Sequence, residues 1–71
     1  MMKSKEFTLI IKGNQVRYEK DNFEMSQALG VSERTFKRYK ANVENMKIAD
    51  LKILIKQLHI QDTDILSFLK G

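Results

Sequence analysis

The sequence predicts a mainly α-helical fold, a compact helix-turn-helix bundle of about four helices preceded by a short N-terminal β-hairpin. Three observations predict it. From residue 21 onward, apolar residues recur at spacings of three and four, the repeat that gathers side chains on one face of a helix. Gly30, followed two residues later by Ser32, supplies a sharp turn and then a helix cap. Before residue 20, apolar residues alternate around Gly13-Asn14 with the period of a strand.

In chain order, residues 7 to 19 place Phe7, Leu9 and Ile11 on one side and then Val16 and Tyr18 across the Gly13-Asn14 pair, which tolerates the positive φ of a tight turn. This reads as a hairpin. A helix using Phe7, Ile10, Ile11 and Tyr18 is the competing reading, weakened by Gly13 and Asn14 in its middle. Asp21 or Asn22 caps a helix through about Ala28, because a side-chain oxygen there accepts an unpaired backbone N–H. Leu29-Gly30-Val31 interrupts it, and Ser32 caps a second helix through about Lys40. Ile48, Leu51, Leu54, Ile55 and Leu58 draw the apolar stripe of a third helix, and Asp62 caps a last one carrying Ile65, Leu66 and Leu69.

Seventy-one residues hold a single domain, residues 1 to 71, with nothing resembling a linker or a repeat. The apolar stretch after Met1 to Lys5 is short and broken by Lys12, too brief for a signal-peptide core, and no run is long enough to span a bilayer. The expected location is therefore the cytoplasm, with no membrane partner, and the absence of cysteine suits a reducing compartment. Thirteen basic against nine acidic residues give a net charge of +4, which favours an anionic partner. The excess is uneven: residues 1 to 20 carry +5 and −2, residues 32 to 47 carry +5 and −2, and residues 48 to 71 balance at +3 and −3.

The segment Met25-Ser-Gln-Ala-Leu-Gly-Val-Ser-Glu-Arg-Thr-Phe-Lys-Arg-Tyr39 meets the needs of a helix-turn-helix over about residues 21 to 42. It has small Ser26 where two helices cross, Met25, Leu29, Val31, Phe36 and Tyr39 as apolar contacts, and Gly30 at the turn. It resembles the Cro and phage-repressor (XRE) family of helix-turn-helix regulators, whose motif runs approximately L-A-x-x-L-G-V-S-x-x-T. Leu29-Gly30-Val31-Ser32, Thr35 and Phe36 fall in register with it, and the likeness extends over about residues 21 to 69. Met25-Ser26 replace the usual Leu-Ala, Lys40 stands where Glu is common, Met46 replaces a frequent Pro, and Asn42 replaces Gly as a residue that also visits left-handed geometry. An N-terminal hairpin departs from the helix with which this family normally starts.

The resemblance implies a sequence-specific, duplex DNA-binding transcriptional regulator, repressor-like, with its recognition helix, about residues 32 to 40, in the major groove. Glu33, Arg34, Lys37 and Arg38 project away from the side defined by Phe36 and Tyr39 and form one polar face. By resemblance Glu33, Arg34 and Arg38 read bases, and Lys37 reaches base or phosphate. Arginine pairs with guanine O6 and N7 and a glutamate accepts from cytosine, so G·C content is expected in the site. Asn22, Ser32, Lys40, Asn42, Asn45 and Lys47 are the phosphate candidates, Asn22 by resemblance and by its place at a helix N-terminus. Because one such helix buries too little surface for tight binding, a homodimer on a palindromic site with half-sites about 34 Å apart is expected.

An interaction module, antitoxin-like or an anti-repressor component, is the alternative, with a protein partner bound through the N-terminal hairpin edge or the C-terminal helix. No enzyme, cofactor or metal site is expected: His59 is the only histidine and has no partners at usable spacing, and Ser67 has no base. Met25, Phe36 and Tyr39 are expected in the core, and Phe7 and Tyr18 are expected to pack within the hairpin and not to stack on single-stranded bases.

Overall fold

A computed structural model describes residues 3 to 70; Met1, Met2 and Gly71, at the two ends of the expected domain, lie outside the described residues. The chain runs α1 (Ser4–Arg17), α2 (Asn22–Leu29), α3 (Glu33–Ala41), a 3-10 turn at Val43–Asn45, α4 (Ile48–Leu58) and α5 (Asp62–Lys70). One hydrophobic core joins them: Phe7 and Ile11 from α1, Met25 and Leu29 from α2, Phe36 from α3, Val43 and Met46 from the connection, Leu51, Leu54 and Leu58 from α4, and Ile60. From α5, Phe68 stacks on Phe7 with ring centroids 4.5 Å apart.

The N-terminal segment overturns the expected hairpin. Residues 4 to 17 are one helix, and no strand occurs among the described residues. Phe7, Ile11 and Gln15, four apart, form its buried face, whereas the alternating set fails: Leu9 is 63% exposed and Val16 80%. A lone two-stranded hairpin is marginal in water, while a helix pairs its own backbone and lays Phe7 and Ile11 into the core. That burial, worth ~1.5–3 kcal/mol per large side chain, outweighs the ~1 kcal/mol that Gly13 costs a helix interior. With the hairpin goes the strand edge on which a protein partner was expected to dock.

The remaining helices start near their expected caps. Asp21 accepts from the Glu24 amide at 2.8 Å, and Ser32 Oγ accepts from the Thr35 amide at 3.1 Å. The last helix begins at Asp62 itself, with Gln61 supplying the first carbonyl, so Asp62 lies inside it and not before it. Ile48, counted in the stripe of α4, is 64% exposed, so the buried part of that stripe is Leu51, Leu54 and Leu58.

Three helices close in the same way, with a left-handed residue after the last turn and the next amide bonded back to a carbonyl five residues earlier. Gly30 does so at φ 70°, with the Val31 amide on the Ser26 carbonyl at 2.9 Å. Glu19 (φ 54°) and His59 (φ 52°) repeat the closure through Lys20 on Gln15 and Ile60 on Ile55, although neither is a glycine. Asn42 departs from expectation: at φ −147° and ψ 81° it is not left-handed, because the chain passes directly from α3 into the 3-10 turn.

Candidate nucleic-acid interface

α3 is amphipathic in the simplest sense: Phe36 is its one fully buried side chain, and Tyr39 is part-buried with its hydroxyl donating to Asp50 Oδ2 at 3.2 Å. Partial burial first, and then that hydrogen bond and the charge of Asp50, raise the Tyr39 pKa above its ordinary value. With Phe36 turned inward, helical periodicity leaves Glu33, Arg34, Lys37 and Arg38 outward, and all four are exposed. Ser26, buried beside the turn, donates to the Phe23 carbonyl at 2.7 Å and so carries its hydroxyl into the interior already satisfied. Such a small side chain lets α2 and α3 approach closely.

Of the phosphate candidates, the structure brings Asn22 and Lys40 together and leaves the others apart. Asn22 is the first residue of α2. Its Oδ1 accepts from Lys40 Nζ at 2.7 Å and from Gln15 Nε2 at 3.1 Å. Gln15 Oε1 accepts from the same ammonium at 2.9 Å, so three helices meet in one polar knot. Ser32 is exposed at the start of α3, and Asn42, Asn45 and Lys47 are exposed along the connection to α4. Asn42 and Asn45 are linked there through the Asn45 amide on the Asn42 carbonyl at 3.1 Å.

Three residues of α1 that the sequence reading did not single out belong to this region. Lys12, with Thr8, Lys37, Lys40 and Ala41, lines a cleft of ≈ 240 Å³ between α1 and α3. The Thr8 hydroxyl donates to the Lys40 carbonyl, one of the last in α3, and Gln15, 8% exposed, anchors the Lys40 ammonium. The signal that marks them is Gln15 itself, a polar residue at the four-residue spacing of Phe7 and Ile11. It becomes visible only once the segment is read as a helix. Burial, and then the charges of Lys12 and Lys37, lower the Lys40 pKa from its ordinary value.

The fold and this surface define a class: a small helical domain in which two turn-linked helices present an exposed face with a basic cleft at its flank. Comparison with known proteins finds no matching family model, no matching curated protein and no matching solved structure. Among the described residues no helix is long and apolar enough to cross a membrane.

Proposed function

We propose that the chain is a sequence-specific duplex DNA-binding regulator, related in design to the Cro and phage-repressor helix-turn-helix proteins, with α3 as the recognition helix. One observation carries the reading: Phe36 docks α3 on the core while Glu33, Arg34, Lys37 and Arg38 all stand free on its outer face. A helix is about 10–12 Å across with its side chains, which fits a major groove about 12 Å wide, and the nine residues of α3 give it a length of about 13 Å along the groove. Arg34 and Arg38 read guanine edges, Glu33 accepts from cytosine, and Asn22, Ser32, Asn42, Asn45 and Lys47 position the backbone. Two copies on a palindromic site supply the surface that one helix lacks.

Selection from random duplexes at moderate salt tests the reading, and a palindromic, G·C-containing motif is the expected product; its absence overturns the assignment. Within the selected site, Arg34→Ala and Arg38→Ala each cost about 1–3 kcal/mol of discrimination at their own base position, read by competition binding. Lys47→Ala weakens all duplexes alike.

A further inference from the structure

We propose that Lys12, Lys37 and Lys40 form a seat for one phosphodiester of the DNA backbone, built between α1 and α3; this rests on the DNA-binding reading above. The cleft they share with Thr8 and Ala41 has no acidic side chain in its lining. The Lys40 ammonium is held in place, not waving: it donates to two oxygens, Gln15 Oε1 and Asn22 Oδ1, and lies 5.3 Å from the Phe36 ring centroid. Both acceptors are neutral amides, so its charge is oriented without being cancelled. An ammonium carries three donors, and two are used here, which leaves one for a ligand.

Setting two further positive charges beside a partly desolvated amine opposes folding: burial first, and then the charges of Lys12 and Lys37, lower the Lys40 pKa. An anion in the cleft relieves the repulsion. Guanine N7 and O6 are neutral acceptors, whereas a phosphodiester carries a full negative charge, so three ammonium groups gathered in one cleft match the phosphate better than a base edge. Lys37 lies in the cleft and also in the exposed row with Arg34 and Arg38. A backbone flanking the groove occupied by α3 therefore passes this seat, which assigns Lys37 to phosphate and not to base reading.

The test measures full-length protein on a duplex across a salt series, comparing wild type with Lys12→Gln, Lys12→Arg and Lys56→Gln, the last an exposed lysine outside the cleft. Loss of one phosphate contact reduces the magnitude of the slope of log K against log salt by about 0.9. That reduction is expected for Lys12→Gln on every sequence, with recovery in Lys12→Arg and none in Lys56→Gln. Because Lys12 is exposed, each variant is expected to melt as the wild type does, and melting curves check this. Tight duplex binding with an unchanged slope in Lys12→Gln overturns the seat and leaves the DNA reading standing, as does an equal reduction in Lys56→Gln. Failure of wild type to bind any duplex overturns both. A cleft for free phosphate is the remaining outcome: inorganic phosphate then saturates the wild type while Lys12→Gln keeps the duplex slope, and the proposal fails.

Discussion

A Cβ placed on Gly30 meets no atom within 4 Å, so space does not restrict this position; its φ of 70° does. Left-handed backbone costs an ordinary L-residue ~1–2 kcal/mol, and Gly30→Ala is expected to lower unfolding stability by about that amount in urea titrations. Lys40 makes a different demand. With its native pKa lowered from 10.5, the unfolded chain binds the proton more tightly between the lowered value and 10.5. The contribution of this group to stability therefore rises with pH through that window, and charged Lys40 weighs against the fold at neutral pH. Tyr39, raised above 10.0, acts in the opposite sense: its contribution is intact below about pH 10 and is lost as pH rises through its raised value. In a Tyr39→Phe background, wild-type Lys40 is expected to gain stability relative to Lys40→Gln as pH climbs from about 7 toward 10, measured by urea midpoints.

At the scale of the element, α1 explains most of what the sequence concealed. Its apolar residues satisfy two periods at once: Phe7, Leu9 and Ile11 alternate as a strand would, while Phe7 and Ile11 with Gln15 repeat as a helix would. Gly13-Asn14 looks like turn chemistry, yet both residues sit inside α1. What decides between the two is the rest of the molecule, because only the helical face meets a core, and no local pattern carries that information. Gly13 is thus an exposed helix-interior glycine with nothing within 4 Å of an added Cβ. Gly13→Ala is expected to raise stability by about 0.5–1 kcal/mol, seen as a higher urea midpoint at unchanged slope. By contrast α2 and α3 were legible within about a residue, since Asp21, Gly30 and Ser32 each announce a boundary through local chemistry. The closures at Glu19 and His59 were not legible, because neither residue type signals a left-handed backbone.

Across the whole molecule, the exposed candidates of α3 were readable because one buried residue, Phe36, fixes which way the helix faces. The cleft was not, because it needs Lys12 beside Lys37 and Lys40, residues brought together only by the packing of α1 on α3. The same helix also reaches α4: Asn14 Nδ2 donates to the Leu58 carbonyl at 2.8 Å, as Thr8 does to the Lys40 carbonyl. Terminal turns ordinarily fray one helix at a time. Here the final carbonyls of two separate rods are sealed by side chains from a third, 32 and 44 positions away along the chain. Loosening of the first rod therefore unfastens both others, and hydrogen exchange is expected to show the last turns of α3 and α4 opening together, with Asn14→Ala speeding exchange at the α4 end first.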